Sequence, residues 1–351
     1  MKSKNIIVSL KLPCLITIFS LFSLAACGGC GSKGKGANKP VRGKPINNPT
    51  NLKKVIVLFH GLNCPNDDGI AELGSKLGTD IKNTEIIILN RYNSGDIHTT
   101  QQAEEAYATL KKELEARKII NSSICLFGDS HGGLVVLELY RKYKEQLNIK
   151  AIITNHSPLE GAPGINVSDE SVKDFQKTIQ KIFGPIIDVN SKDLKAILTD
   201  GINKPVRKDL TKDSALLKDI KSTLLNIEIP VILLGGEVDI KTAIIALFSF
   251  DLGKNQLAQF IIPQLKSFLN KQNAAILAEL ETNFEALIGD KRNDGFIPTY
   301  SQIAESILEN TPVNVRRIRS KTYHHFYGTT RHSTIYNKLV GFINQAFEFQ
   351  N

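Results

Sequence analysis

The sequence predicts an α/β fold, a mostly parallel central sheet flanked by helices. From residue 54 onward, short apolar runs alternate with longer segments of helical periodicity, the order that yields parallel strands joined by crossover helices. One of those runs, Ile124-Cys125-Leu126-Phe127, passes through a glycine-flanked serine directly into a helical pattern. The charge distribution agrees with one compact domain. The 351 residues carry a formal +9, but Lys2, Lys4 and Lys11 lie in residues 1–26 and Lys33, Lys35, Lys39, Arg42, Lys44 and Lys53 in residues 27–53, with no acid in either stretch. Residues 54–351 are therefore electrically balanced, and the folded part lacks the clustered cations that nucleic-acid binding needs. At 42% hydrophobic and 23% charged, the chain has enough apolar surface for a full core.

Residues 1–26 read as a signal peptide. A basic start precedes a mainly apolar stretch over 12–26, too short for a comfortable membrane span of about 20 residues. It ends in Leu24-Ala25-Ala26-Cys27, which resembles the lipobox of bacterial lipoproteins. That resemblance implies acylation of Cys27 and a lipid anchor in a bacterial cell envelope, in the outer membrane if the host has two membranes. Residues 27–53, rich in Gly, Lys, Pro and Asn, then form a flexible basic tether. Of the mature cysteines, Cys125 lies in an apolar strand pattern, while Cys30 and Cys64 are free to pair in an oxidising compartment; none has zinc-type spacing.

In order, the expected strands are 55–59, 85–89, 123–127, 151–154, 230–234 and 313–318, with helices over 100–118 and 133–147. Two stretches, about 159–226 and 241–290, exceed a minimal sheet-and-helix domain. In the first, Val172, Phe175, Ile179, Ile182, Phe183 and Ile186 recur at helical spacing opposite Lys173, Lys177, Gln180 and Lys181. Helical insertions of this kind either cover a cleft or pack permanently on the core.

The motif Gly128-Asp129-Ser130-His131-Gly132-Gly133 has the strand-to-helix context that a nucleophile elbow requires. Glycines on either side of the serine let neighbouring chain pass close by, and the helix N-terminus places free amides beneath the hydroxyl. A second strand ends in His60-Gly61-Leu62, where His60 reads as a structural residue of the turn.

With these motifs, and with Ser157-Pro158-Leu159-Glu160-Gly161-Ala162-Pro163, 209–217 and Asn293-Asp294-Gly295-Phe296-Ile297-Pro298, the chain resembles bacterial lipases and esterases of the α/β-hydrolase fold over most of 54–351. The resemblance implies Ser130 as nucleophile and the amides of Leu62 and His131 as an oxyanion hole. Triad order in that fold is serine, acid, histidine. Among the seven histidines, His324, His325 and His332 lie downstream of every candidate acid; His325, followed by Phe326 and with Phe342 beyond, fits best, and His324 is the alternate. Asp294 is the favoured acid and Asp239, in Gly235-Gly236-Glu237-Val238-Asp239, the alternate; the one not used serves as a turn or cap.

The implied reaction is cleavage of a carboxylic ester, of an acyl lipid in particular, through an acyl-enzyme and without a cofactor. Related lipases hold calcium through an aspartate two positions after the histidine; here Tyr327, or Phe326 if His324 is the base, stands there, so no metal is expected. A thioesterase or phospholipase on the same fold, or a non-catalytic binding lipoprotein, are the alternatives. Phe127-Gly128-Asp129-Ser130 also resembles the first block of GDSL esterases, but no histidine here follows an aspartate by three positions, and that reading is set aside.

Overall fold

The computed structural model describes residues 53–62, 67–91, 94–183, 204–252, 256–325 and 329–348, without the side chains of 247–261. The signal, Cys27, the Cys30–Cys64 pairing, Phe326, Tyr327 and all of the tether before Lys53 lie outside the described residues.

All six expected apolar runs form strands: β1 (Lys54–Phe59), β2 (Thr84–Leu89), β3 (Ser123–Asp129), β4 (Ile149–Asn155), β5 (Val231–Gly236) and β6 (Val315–Ser320). They make one sheet in the order β2-β1-β3-β4-β5-β6, and each neighbouring pair is parallel. This is the parallel sheet flanked by helices expected from the sequence. β6 starts two residues later than its apolar run, because Val315 N donates to Pro312 O at 2.9 Å in a turn that leaves Val313 96% exposed.

The helices are α1 (Asp68–Asp80), α2 (Thr99–Ala116), α3 (His131–Tyr143), α4 (Asp169–Phe183), α5 (Pro205–Leu210), α6 (Ala215–Leu225), α7 (Ile240–Leu252), α8 (Gln256–Lys271), α9 (Ala274–Ile288), α10 (Thr299–Gln302) and α11 (Ser333–Glu348). They cover both faces of the sheet. Along β1, Val55, Val57 and Phe59 face one core with Ala106 and Leu110 of α2, Leu134 and Leu137 of α3, and Leu217, Ile220 and Leu224 of α6. Ile56 and Leu58 face the other, with Ile70, Leu73 and Leu77 of α1 and Ile335, Leu339 and Ile343 of α11. Alternation along a strand buried on both sides accounts for the unbroken apolar runs.

The structure divides the first surplus stretch. α6 covers the sheet, whereas α4 joins α7, α8 and α9 in a third apolar core built on Phe175, Ile179, Phe183, Ile244, Leu265, Leu269, Leu280 and Phe284. Val238, just past β5, belongs to that third core and connects it to the sheet. α1 carries an apolar stripe that the strand-and-helix pattern did not single out, because Gly69, Gly74 and Gly78 dilute its helix propensity; Asp67 compensates by capping, accepting from Gly69 N at 2.7 Å and Ile70 N at 3.3 Å. Among the described residues, no helix is long and apolar enough to cross a membrane.

Leu339 is fully buried between α11 and the sheet. Leu339→Ala is expected to lower unfolding free energy by about 2–5 kcal/mol, read as a fall in the urea midpoint with an unchanged slope.

Candidate active site

β3 passes into α3 with Ser130 alone between them, at φ 50 and ψ −124, a conformation that few side-chain-bearing residues adopt. The glycines around it are sterically required. A Cβ on Gly128 would stand 2.3 Å from Gly132 O, and one on Gly132 would stand 2.7 Å from His60 O. The elbow therefore lies directly against the exit of β1, which is in register with β3 through Phe59 and Gly128. His131 opens α3 and Leu62 ends the described turn after β1, so the two residues expected to supply oxyanion amides stand on adjacent loops at the same end of the sheet.

His325 is the histidine that the structure sets between Ser130 and Asp294. Its Nδ1 lies 2.9 Å from Asp294 Oδ2, and its Nε2 lies 3.1 Å from Ser130 Oγ. An ionised carboxylate only accepts, so Nδ1 carries the proton and Nε2 is left to accept from the serine hydroxyl. Phe296 lies against the imidazole, with ring centroids 5.1 Å apart. His332, further along, instead meets Ser320 Oγ at 3.2 Å and Thr322 Oγ1 at 3.0 Å. Burial and the neighbouring His156 lower the pKa of His324 to about 4.

Asp294 belongs to a tight loop closed by the Asn293–Pro298 bridge, with Gly295 at φ 94. Main-chain bonds secure this loop on both sides: Val238 N donates to Asn293 O at 2.9 Å, and His325 N donates to Asp294 O at 2.9 Å. The carboxylate is fully buried and accepts at both oxygens. Oδ1 takes Phe296 N at 2.9 Å and Ile297 N at 2.7 Å; Oδ2 takes His325 Nδ1 and, at 2.7 Å, His156 Nδ1. Burial pushes this carboxyl up, but attraction to His325 together with the bonds from both imidazoles outweighs it and holds Asp294 below the usual carboxylate range. Asp239, the alternate acid, caps the start of α7: its Oδ1 accepts from Thr242 N at 3.0 Å and its Oδ2 from Thr242 Oγ1 at 2.7 Å.

Behind the elbow is a polar cluster that the sequence did not reveal. The Arg91 guanidinium, just past β2, donates to His60 O, to Gly61 O at 3.4 Å and to Gln102 Oε1 at 2.5 Å, and Nη1 lies 3.3 Å from His131 Nδ1. Burial lowers its pKa to about 9. His60 has the structural role expected of it. Its Nδ1 donates to Gly61 O at 2.6 Å and its Nε2 accepts from Arg91 N at 2.7 Å, while burial and Arg91 hold its pKa near 3 and keep the ring neutral. Burial and Arg91 likewise hold His131 well below the ordinary histidine value, and its Nε2 meets Thr99 Oγ1 at 2.9 Å. Two further residues went unrecognised, His156 after β4 and Gln302 in α10. Arg91, His156 and Gln302 stand outside any spacing motif, and the sheet order alone brings them to the site.

Among the described residues, the grouping that could offer three metal-ligand atoms is His156, Asp294 and His325, all buried. Two imidazoles and one carboxylate do not make the oxygen-rich set that calcium takes. Both Nδ1–H groups are already donated to Asp294.

No protein-family model and no curated protein matches the chain. Solved structures to which it is similar include the mature lipase BlEst2 from Bacillus licheniformis, at 13% identity over 85% of this chain and 96% of that one, TM-score 0.45. A peroxisomal α/β-hydrolase from Saccharomyces cerevisiae gives 10% identity over 83% and 77%, TM-score 0.44. A serine hydrolase from Cycloclasticus zankles gives 13% identity over 84% and 91%, TM-score 0.42.

Asp129, next to the serine, accepts from Asn155 Nδ2 at 2.6 Å, and burial, reinforced by the Asp67 carboxylate, raises its pKa to about 7. The folded state thus binds this proton more tightly than the unfolded chain, and stability falls as pH rises from about 4 toward 7. Asp129→Asn, which keeps an acceptor for Asn155 and removes the charge, is expected to raise the melting temperature at pH 8.5 while adding little at pH 4.5; thermal unfolding at the two pH values checks this.

Proposed function

We propose that the protein is a serine hydrolase that cleaves carboxylic esters, acyl lipids among them, by acyl transfer. The observation that carries the reading is the continuous line from Ser130 Oγ to His325 Nε2 at 3.1 Å and from His325 Nδ1 to Asp294 Oδ2 at 2.9 Å. In the first step Ser130 Oγ bonds to the ester carbonyl carbon while its proton passes to His325 Nε2. The carbonyl electron pair moves to oxygen, where the amides of Leu62 and His131 receive it; each donor of this type contributes on the order of 3 kcal/mol. Asp294 stays ionised and stabilises the imidazolium. Collapse of the tetrahedral species expels the alcohol, which takes the proton from His325, and water resolves the acyl-enzyme by the same path in reverse.

The acyl-lipid substrate class rests on the apolar composition of the helical insertions that carry α4 and α7–α9 beside the exit of β5, whose buried side chains pack on one another in a core of their own. Attachment to a bacterial membrane through lipidated Cys27 belongs to the same reading and rests on Leu24-Ala25-Ala26-Cys27. An anchored enzyme would meet its substrate in the plane of the membrane.

A fluorophosphonate probe tests the mechanism. Wild type and His324→Ala are expected to label at Ser130, Ser130→Ala not to label, and His325→Ala to lose about 10⁴- to 10⁶-fold in kcat/KM. An unlabelled wild type overturns the hydrolase reading. Nitrophenyl esters of increasing chain length then test the substrate class; rates that fall steadily beyond acetyl and butyryl exclude an acyl-lipid preference.

A further inference from the structure

His156 is fully buried at the end of β4, held at φ 50, with its backbone N bonded to Leu234 O of β5 at 2.9 Å. Nδ1 faces two acceptors, Asp294 Oδ2 at 2.7 Å and Gln302 Oε1 at 3.1 Å, so it carries the ring proton. Nε2 is buried without a hydrogen-bond partner. An imidazole kept only to fill space would cost stability through that unpaired nitrogen, and an apolar ring would serve better. What the ring adds is one N–H aimed at the oxygen that also holds His325. Gln302 orients it in turn, accepting from Gly236 N at 2.7 Å and donating to Ile297 O at 2.7 Å within the acid loop. The two imidazoles thus converge on a single oxygen, with ring centroids 5.4 Å apart.

We propose that His156 is a positioning residue for the reaction: by donating to the Asp294 oxygen that His325 uses, it fixes the carboxylate and moderates the hold of that oxygen on the imidazolium. The inference rests on the serine-hydrolase reading. Two donors share one oxygen, so each finds less charge there than it would alone. Removing the His156 donor leaves Asp294 Oδ2 entirely to His325 and makes that base harder to deprotonate. The other ionisable groups around this pair are Tyr323 and, each also sensing His156, Asp129 and His324.

The test is the pH dependence of kcat/KM on a soluble nitrophenyl ester, with circular dichroism and thermal melting run alongside. His156→Leu removes the donor; His156→Gln keeps a polar side chain but carries its amide beyond the Nδ1 position; His156→Asn places an amide N–H near that position. The Leu and Gln variants are expected to move the acid limb up by about one pH unit and to lower the plateau about 10-fold or more, while Asn restores the wild-type limb. A folded Leu or Gln variant with an unmoved limb overturns the proposal, as does an Asn variant that behaves like Gln; should Leu not fold, the Gln and Asn comparison decides. Fluorophosphonate labelling of wild type separates the two levels: if it labels and the limbs do not move, only the role of His156 falls.

Discussion

A charged carboxylate with no exposed surface is the constraint on which the site depends. Burying Asp294 as an anion is unfavourable unless its lone pairs are occupied, and here four donors occupy them. Two are amides of its own loop, which the Asn293–Pro298 bridge folds back on the carboxylate. The other two arrive from separate parts of the sheet, His156 from the end of β4 and His325 from the loop after β6. Satisfying one charge therefore fixes three segments relative to one another, and the position of the imidazole beside Ser130 follows from that. Taking away a donor does more than delete a bond; it leaves an anion without its solvation.

The opposite side of the serine is organised by a cation. Among the described residues, Arg91 meets carbonyl and amide oxygens and the His131 imidazole, and it attaches the His60-Gly61 turn to α2 through Gln102. Neutral His60 and His131 fill the space around it. A fixed positive group with neutral surroundings, set behind the turn where the proposed acyl transfer would develop negative charge, would favour that charge without having to reorient when it appears. Ser130 thus stands between a buried anion that holds the His325 imidazole and a buried cation that holds the turn.

Much of this was legible in the chain. The inner strands β1, β3, β4 and β5 announce themselves because both faces of the sheet are covered there, so β-propensity and burial give the same signal in each run. Ser130 stands out because its geometry forces glycine at 128 and 132, and Asp294 because a carboxylate capping its own loop needs glycine at 295. The residues that escaped share a different property. His156, Arg91 and Gln302 act through contacts across the sheet, and the order β1-β3-β4-β5 that creates those contacts leaves no trace in local spacing. α1 escaped for a local reason, its three glycines. Asp239 competed with Asp294 because the residue after a strand and before a helix is equally suited to capping, and capping is what it does.

Ser130 and His325 are 195 positions apart, and Asp294 comes from the far end of a helical excursion. The hydrogen-bond line cannot exist until β6, at the sheet edge, has docked on β5 and brought its following loop back over the elbow. Parallel strands joined by long crossovers assemble slowly, because the entropy of closing each loop is lost before its contacts form. The line from Ser130 through His325 to Asp294 is therefore completed late in folding. On the proposed hydrolase reading, a chain with its last strand still unpaired would carry the serine without the histidine, and so would be chemically silent until the sheet was complete.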